Sequence, residues 1–430
     1  MLKTIAKHST KLMHFLLALE LVLFRPQVRH LTQLVDALIV CDSRKTLSSL
    51  YRQFVDELDP KTAADFFRES PWQVGQIGVP RKRFMLDQLL GFWPILEPDA
   101  IVISIDDSLG IKHKDTHHLE AVDFQHNHSE STRKKQVYSN GYVFVETHVQ
   151  MDGIGFLYDA QLYLRAKMVR RLNRKRSKEN RLPYRSKYRI ARAMLVELAA
   201  QLPKDRPVYV TFDSWYASAK LIKYCRRQGW HVICALKSNR CLDQKQVRYH
   251  DQALRHKRYI RVRMRAVDDT QPPSYYVRQI QGRLNDVPGQ VHVLISRRHP
   301  GHKRPKYFMC TDTSLSAQEA LRIYQQRWPV EVDNFYLKEA LGLSDFRLQS
   351  FEAIEKWFAV VLMALNYLQY QQARDYAQSH TCHSLADFIR QHRIEHAQDV
   401  LRAVAEQVIR SGDIEAVLNR FIVFDSRAVA

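Results

Sequence analysis

A compact β-α-β unit over residues 208–237 is the feature of this sequence that most restricts how the chain can fold. Its apolar pattern predicts a short strand that ends at Asp213 and a second strand over 231–236. Between the strands, Ser214 is a candidate N-cap of a helix and Gly229 is a candidate end for it. Because strands joined by a helical crossover pair in parallel, the sequence predicts a sheet that is at least partly parallel.

Three further strands are expected before this unit. Residues 100–105 form a β-branched apolar run, which predicts a buried strand that ends at Asp106 and Asp107. Residues 142–149 alternate in polarity, and residues 155–164 give another strand after a turn. The last two predict an antiparallel meander, so the complete sheet is expected to be mixed.

Helices are expected toward both ends of the chain. Apolar spacing predicts helices over residues 1–95 and again from Ser316 to near the end, with strands over 259–311 between them. Asp59-Pro60 marks a helix start in the first region, so two short helices meet there. This pair fits a helix-turn-helix that reads DNA and equally fits an ordinary helical hairpin.

The chain carries 66 Lys and Arg against 45 Asp and Glu, and its formal net charge of +21 indicates a polyanionic partner. The apolar run over 13–24 is too short to cross a bilayer, which takes about 20 apolar residues, and the run over 357–368 predicts a buried helix. The six cysteines include no C-x-x-C pair, which argues against a disulfide framework and against cysteine-ligated zinc. We therefore expect a cytoplasmic, nucleoid-associated protein that binds double-stranded DNA and no membrane.

Positive charge is densest over residues 165–192, which hold thirteen Lys or Arg and one acid, Glu179. Like charges at this density repel one another, so an anion is expected to neutralise them. We interpret this basic run as a phosphate-binding segment, and an inert basic surface is the alternative.

Asp106 and Asp213 occupy comparable positions, each at the C-terminal end of a predicted buried strand. Open α/β sheets bind their ligands at such strand ends. Carboxylates held close together need a cation between them, and Mg²⁺ takes oxygen ligands. Two such ions about 3.5–4 Å apart can activate the attacking oxygen and stabilise the leaving one in phosphoryl transfer. Either aspartate alone is better explained as a turn residue that ends a strand.

A polar stripe supplies further candidate residues, namely Tyr324, Arg327, Glu331 and Lys338. The last three lie 3, 7 and 14 residues after the first, so all four share one narrow face of a continuous helix. Pro329 disfavours helix at the residue before it, so a new helix or a kink is expected there. A purely structural helix would carry apolar residues on its repeating face, so the polar stripe indicates a functional role.

The same four residues match, without a gap, the signature of Tyr, two residues, Arg, three residues, Glu, six residues and Lys. This signature marks a subgroup of the cut-and-paste DDE transposases of bacterial insertion sequences. With Asp106 in Ile-Asp-Asp-Ser and Asp213 in Thr-Phe-Asp-Ser-Trp-Tyr, residues 100–370 resemble that family.

The resemblance implies an α/β fold with a ribonuclease-H-like catalytic core, which is a mixed sheet with flanking helices. It also implies a β-rich insertion in the core and a helical N-terminal domain. The expected regions are a helical DNA-binding domain at 1–95, the catalytic core at 96–239 and 313–375, the insertion at 240–312, and a C-terminal helical region at 376–430.

By resemblance, Asp106, Asp213 and Glu331 are the expected catalytic residues and would hold two Mg²⁺ ions, with Mn²⁺ as a substitute. Water would attack the phosphodiester at the element end, and the freed 3′-hydroxyl would then attack target DNA. Because Asp107 follows Asp106 directly, either could be the ligand, and the order usual in the family favours Asp106.

The resemblance also implies that Tyr324, Arg327 and Lys338 bind the DNA phosphates beside the cut. Joining two element ends implies a homodimer assembled on DNA. The alternatives are a catalytically inactive or repurposed transposase-derived DNA-binding protein and a hydrolytic nuclease on the same core. The intact acidic triad argues against the first, and a dedicated end-recognition domain argues against the second.

Overall fold

The structure, a computed structural model, describes residues 2–56, 58–132, 134–254, 256–266 and 271–422. Parts of two expected regions, 267–270 in the insertion and 423–430 at the C-terminus, lie outside the described residues. The described chain forms a mixed α/β fold in which helices surround one large mixed sheet. The predicted fold class is confirmed at this level.

The N-terminal region is helical, as its apolar spacing predicts. Its helices are α1 (Thr10–Ala18), α2 (Arg25–Val40), α3 (Leu47–Tyr51), α4 (Pro60–Arg68), α5 (Val74–Gly91) and α6 (Trp93–Leu96). The predicted start of α4 is confirmed, because Asp59 Oδ1 accepts the N–H of Lys61 at 2.8 Å and Pro60 lies in the first turn. Phe67 of α4 is buried against Trp357, so this helix packs into the core. A role of this region in reading DNA stays a prediction.

The antiparallel meander is confirmed. It consists of β1 (Ile101–Ile111), β2 (Asp123–His126), β3 (Tyr138–Met151) and β4 (Ile154–Tyr163). The expected end of β1 at Asp106 and Asp107 is wrong, because the strand continues to Ile111. The reason is its antiparallel partner. β1 pairs with β3 as far as Ile111 opposite Gly141, whereas its pairing with a parallel strand on the other edge stops at Ile105.

The predicted β-α-β unit is also confirmed. The chain continues through α7 (Ala166–Asn173), α8 (Lys187–Ala199), β5 (Val208–Phe212), α9 (Ala219–Arg227) and β6 (His231–Leu236). β5 pairs in parallel with both β1 and β6, and Gly229 ends the helix with a φ of 77°. The expected cap at Ser214 is wrong, since Ser218 accepts the N–H of Leu221 at the start of α9. The helix starts later because Asp213 accepts backbone N–H groups in the turn before it.

The next part of the chain contains short strands and one helix. These are β7 (Cys241–Leu242), β8 (Lys245–Gln246), α10 (Val247–Ala253), β9 (Ile260–Arg263), β10 (Ser274–Gly282), β11 (Val291–Arg297) and β12 (Lys306–Cys310). β7 pairs with β8, and β9 to β12 extend the main sheet because β12 pairs antiparallel with β6. The sheet runs in the order β2-β3-β1-β5-β6-β12-β11-β10-β9, with β4 beside β3.

The C-terminal part is helical, as predicted. It comprises α11 (Ala317–Gln325), α12 (Pro329–Phe335), a π-helical turn (Tyr336–Ala340), a 3-10 turn (Leu343–Asp345), α13 (Phe351–Ser379), α14 (Leu385–Ser411) and α15 (Ile414–Phe421). The break expected at Pro329 is confirmed, because this residue begins α12. The long helix α13 is central and packs against β4, α2 and α5. None of the described helices is long and apolar enough to cross a membrane.

Helices cover both faces of the sheet at β3. The Thr147 hydroxyl contacts the sulfur of Met194 in α8, whereas the neighbouring Glu146 accepts a hydrogen bond from Asn334 in α12. Successive side chains of a strand point to opposite faces, so α8 and α12 lie on opposite sides of the sheet. One strand therefore offers different side chains to each layer of helices.

The close approach of β1 and β3 leads to a stability prediction. A Cβ at Gly141 would lie 2.2 Å from the Gly110 carbonyl oxygen, so Gly141→Ala forces the two backbones apart. We expect this change to lower the free energy of unfolding by about 1–3 kcal/mol, measured by urea denaturation. Gly78→Ala in α5 is the control, because nothing lies within 4 Å of its added Cβ. Equal stability of the two variants would contradict this strand register.

Candidate active site

Asp106 and Asp213 lie side by side where the parallel pairing of β1 and β5 ends. The last paired residues are Ile105 and Phe212, so each aspartate is the next residue of its chain segment. After β5 the chain turns, and Asp213 Oδ1 accepts the N–H of Trp215 at 2.8 Å. The structure therefore brings the two predicted carboxylates together at one edge of the sheet.

Asp106 and its neighbour Asp107 face opposite sides of β1. Asp106 Oδ2 lies 2.5 Å from Nη1 of Arg327, at the α12 side. Asp107 Oδ2 lies 2.6 Å from Nζ of Lys187, at the start of α8. Because adjacent strand residues alternate, only one of the two aspartates can join a cluster on a given face. Asp106 is the one that shares a face with α12.

The Arg327 guanidinium links two of the predicted carboxylates. Besides Asp106, it binds Glu331 through an Nη2–Oε1 distance of 2.6 Å. Arg327 lies in the turn between α11 and α12, and Glu331 follows in the first turn of α12. Arg327 thus holds Glu331 near the edge that carries Asp106 and Asp213, although the Glu331 side chain stays 41% exposed.

Burial raises the pKa of Asp106 to about 6, and the charges of Asp213 and Asp107 also act to raise it. The positive charge of Arg327 acts in the opposite direction. The ionised form of Asp106 is therefore disfavoured by its surroundings and depends on a cationic neighbour.

Tyr324 and Lys338, the other predicted DNA contacts, lie beside this centre. Tyr324 packs edge-on against Phe308 of β12 with ring centroids 4.9 Å apart, and burial raises its pKa to about 12. Lys338 Nζ lies 2.6 Å from the Ser108 hydroxyl and 2.9 Å from the Leu109 carbonyl oxygen, both in β1. The Lys338 ammonium is therefore engaged by the protein in this structure.

Glu146 belongs to the centre and is absent from the sequence-based candidates. It lies directly opposite Asp106 in the β1–β3 register, is fully buried, and accepts a hydrogen bond of 2.6 Å from Asn334. Burial and the charge of Asp106 raise the pKa of Glu146 well above its ordinary value. An acid inside the apolar alternation of 142–149 is unusual and is the signal that could have identified it.

Lys187 is the second residue that sequence reasoning missed. Its Nζ pairs with Asp107 and lies 5.2 Å from the ring centre of Trp215. The basic run predicts a positive charge at this position. Its carboxylate partner depends on how α8 packs against β1, which no local pattern encodes.

Buried hydrogen bonds to Asp333 fix the position of α12 against the sheet and α13. His148 Nδ1 of β3 lies 2.5 Å from Asp333 Oδ2, and Gln369 of α13 donates to Asp333 Oδ1 at 2.7 Å. Asp333 is two residues from Glu331, so these bonds fix the helix that carries the third predicted carboxylate.

A cleft of about 400 Å³ opens beside Glu331, between α11–α12 and the strands that extend the sheet. Basic and aromatic side chains line it, including Arg297, Arg298, Arg304, Lys306, Tyr275 and Trp328. Trp328 is 53% exposed. Basic groups bind phosphates and aromatic rings stack on bases, so this cleft has the chemistry of a nucleic-acid groove.

The basic run over 165–192 is largely exposed, and its Lys187 reaches the same sheet edge by pairing with Asp107. Ten of its thirteen Lys and Arg residues are exposed. Some are paired, since Arg176 binds Glu120 at 2.8 Å and also contacts Glu352. The excess of positive charge remains and is accessible to a polyanion.

The predicted metal ligands supply carboxylate oxygens, which are the donors that Mg²⁺ prefers. The raised pKa of Asp106 reflects burial and repulsion between acids, and a cation would relieve the repulsion. In the described part of the chain these oxygens are not gathered within 4.8 Å of one another as a set of three. Arg327 supplies the positive charge between Asp106 and Glu331. The donor chemistry therefore fits a hard divalent cation.

The shifted pKa of Asp106 predicts a pH-dependent stability. This pKa is about 6 in the folded chain against an ordinary 3.8, so the stabilising protonated form is present below pH 4 and lost toward pH 6. We expect Asp106→Asn to gain about 2 kcal/mol of stability relative to the native chain between pH 4.5 and 7.5, measured by urea unfolding. The exposed Asp205→Asn is the control. A pH-independent difference for Asp106→Asn would contradict the assignment.

Comparison with known proteins identifies the segment that carries most of these residues. Residues 185–367 match the family model of the transposase DDE domain, and the match includes Asp213 and Glu331 but not Asp106. No curated protein matches the chain.

Among solved structures, the chain is similar to that of a cryo-EM piggyBac transposase synaptic complex with hairpin DNA. The identity is 11%, the match covers 94% of this chain and 78% of that chain, and the TM-score is 0.45. This similarity is too low to transfer any feature of that complex. Over residues 185–367, the chain is similar to the DDE domain of transposases, and this similarity supports the interpretation of the chain as a DDE transposase.

Proposed function

We propose that this chain is a DNA transposase that catalyses metal-dependent cleavage and strand transfer at the ends of an insertion sequence, by cut-and-paste transposition. The observation that carries the proposal is the sheet edge where Asp106 and Asp213 lie side by side and Arg327 holds Glu331 beside them. The match of 185–367 to the transposase DDE domain supports it. The meander followed by two parallel strands, with helices on both faces, supports a ribonuclease-H-like core.

In this proposal Asp106, Asp213 and Glu331 hold two Mg²⁺ ions, for which Mn²⁺ can substitute. When bound, the metal activates the attacking oxygen and stabilises the leaving one. Asp106 is preferred to Asp107 as the ligand, because Asp106 shares its face with Glu331 while Lys187 neutralises Asp107.

Tyr324, Arg327 and Lys338 bind the phosphates that flank the cut. Arg327 exchanges its two carboxylate partners for phosphate oxygens, which its planar guanidinium can bind through two parallel hydrogen bonds. Lys338 likewise exchanges Ser108 for a phosphate oxygen. The Arg327 exchange leaves Asp106 and Glu331 free for the metal only when DNA is present, so metal binding at this site depends on DNA being bound.

Double-stranded DNA, as element end and as target, is the proposed partner. The cleft opens beside Glu331 on the α12 side, and Lys187 of the basic run lies on the α8 side of the same sheet edge, where we propose that one duplex contacts both. Joining two element ends in one complex requires two active sites, and we propose a homodimer assembled on DNA.

Cleavage of a duplex that carries the inverted repeats flanking the reading frame tests the proposal. Glu331→Gln should lower Mg²⁺-dependent cleavage by at least about 100-fold because a metal ligand is removed, and it should leave DNA binding nearly unchanged. Glu339→Gln, an exposed acid on the following helical turn, is the matched control and should cleave normally. Full cleavage by Glu331→Gln would refute the catalytic assignment. A native chain that binds these ends without cleaving them in Mg²⁺ or Mn²⁺ would be the inactive DNA-binding protein.

The basic run gives a separate prediction about DNA affinity. Replacing the exposed Arg170, Arg171 and Arg174 by Gln should lower the slope of log affinity against log salt concentration by about 0.9 for each phosphate left without a basic partner. Fluorescence anisotropy over a salt series measures this slope. The matched control removes the same charge from exposed positions of α14, namely Arg390, Arg402 and Arg410. Equal slopes for the two triple variants would assign the basic run to an inert surface.

A further inference from the structure

A second cluster of metal-ligating side chains lies between helices α2 and α14, apart from the candidate active site. Asp36 of α2 is fully buried, and His392 and His396 of α14 are 4% and 2% exposed. The two histidines are four residues apart, so they lie on the same face of α14. The described residues contain no other group of three or more His, Cys, Asp or Glu whose ligand atoms approach one another as closely.

The three side chains converge on one point. Nε2 of His392 lies 2.8 Å from Asp36 Oδ1, and Nε2 of His396 lies 2.7 Å from the same oxygen. One ligand atom from each side chain lies within 4.8 Å of the other two. Two ring nitrogens from one helix and one carboxylate oxygen from another therefore share a small buried space.

A third histidine, from the N-terminal segment, lies beside the other oxygen of the carboxylate. His8 Nδ1 lies 3.4 Å from Asp36 Oδ2, and the backbone N–H of Ser9 donates to that oxygen at 3.2 Å. The His8 side chain is 30% exposed, so the cluster is reachable from solvent on this side. The Ser9 bond orients the carboxylate and leaves its other oxygen to the α14 histidines.

The number of imidazoles exceeds what the carboxylate requires. Two imidazole nitrogens lie within 2.8 Å of Asp36 Oδ1, and a third lies 3.4 Å from Oδ2. A single hydrogen-bond donor at each oxygen would be enough to satisfy the carboxylate. A divalent cation would use the two α14 nitrogens and the carboxylate as ligands and would carry the balancing charge itself.

We propose that Asp36, His392 and His396 are the protein ligands of a structural site for a single divalent transition metal, with zinc as the best-fitting ion, and that His8 positions the Asp36 carboxylate through its other oxygen. Imidazole nitrogens and a carboxylate oxygen are common zinc ligands, with bonds of about 2.0–2.2 Å and tetrahedral geometry. Ligand atoms in such a site are about 3.3 Å apart. Binding therefore requires each Nε2 to move back from Asp36 by about half an ångström, which a small side-chain rotation provides.

The site would join three distant parts of the chain. His8 precedes α1, Asp36 belongs to α2, and His392 and His396 belong to the C-terminal helix α14. A metal bound between α2 and α14 would hold the C-terminal helical region against the N-terminal helices. This role is independent of DNA cleavage, so its test does not use activity.

Metal binding to the full chain tests the site. The protein is stripped with a chelator and titrated with Co²⁺, which shows strong visible absorption in a tetrahedral site, and then with Zn²⁺. We expect one equivalent of Co²⁺ to bind without a thiolate charge-transfer band, and Zn²⁺ to displace it and raise the melting temperature. His396→Gln should weaken Zn²⁺ binding by more than about 100-fold. His128→Gln, in the exposed His126–His128 pair, is the matched control and should bind as the native chain does.

Because His396 is buried, the His396→Gln variant can also lose stability. A second variant is therefore needed to separate weaker metal binding from loss of folding. His8→Ala changes a partly exposed side chain and should weaken Zn²⁺ binding by about tenfold in a chain with an unchanged circular dichroism spectrum. Absence of stoichiometric Co²⁺ or Zn²⁺ binding to the native chain would overturn the proposal and identify a hydrogen-bonded cluster only. Native affinity in both His396→Gln and His8→Ala would overturn it as well.

Discussion

The pairing of β1 on both of its edges is the constraint on which the rest of the structure depends. On one edge it pairs in parallel with β5 and stops at Ile105, and on the other it pairs antiparallel with β3 as far as Ile111. Asp106 therefore lies in a strand whose backbone is held on one edge and open on the other. The held edge fixes its position, and the open edge, where the chain turns away after Asp213, leaves room for a ligand.

Acids gathered at that edge are stabilised in different ways. Asp106 and Asp107 each have their own cation, Arg327 on one face of the sheet and Lys187 on the other. Glu146 is buried on the same face as Asp106 and has a hydrogen bond from Asn334 instead of a cation, while its raised pKa favours the protonated form. Burying a third ionised carboxylate there would be far more costly than burying a neutral one. The centre thus limits how many negative charges it holds.

Local patterns in the sequence predicted the elements well, and tertiary pairing decided what they missed. The β-α-β unit and the break at Pro329 depend on neighbouring residues alone, and both were predicted correctly. The end of β1 was wrong because it depends on a strand some thirty residues away, and the cap at Ser214 was wrong because the Asp213 side chain takes over the turn. Asp213 can be recognised from the local sequence because it directly follows a predicted strand. Glu146 becomes part of the centre only through the β1–β3 register, which the local sequence does not specify.

The pairing of β12 with β6 makes the cleft wall and the aspartate-bearing strands one continuous sheet. A sheet joined by backbone hydrogen bonds resists shear, so a load applied at Lys306 passes through β12 and β6 to β5. The cleft wall and the aspartate-bearing strands therefore form one rigid binding surface. A duplex whose shape does not match this surface must itself bend to fit it, and smooth bending costs about 1–6 kcal/mol for a 20–30 base-pair site. Sequences that bend easily would then be engaged more readily even where no side chain reads a base.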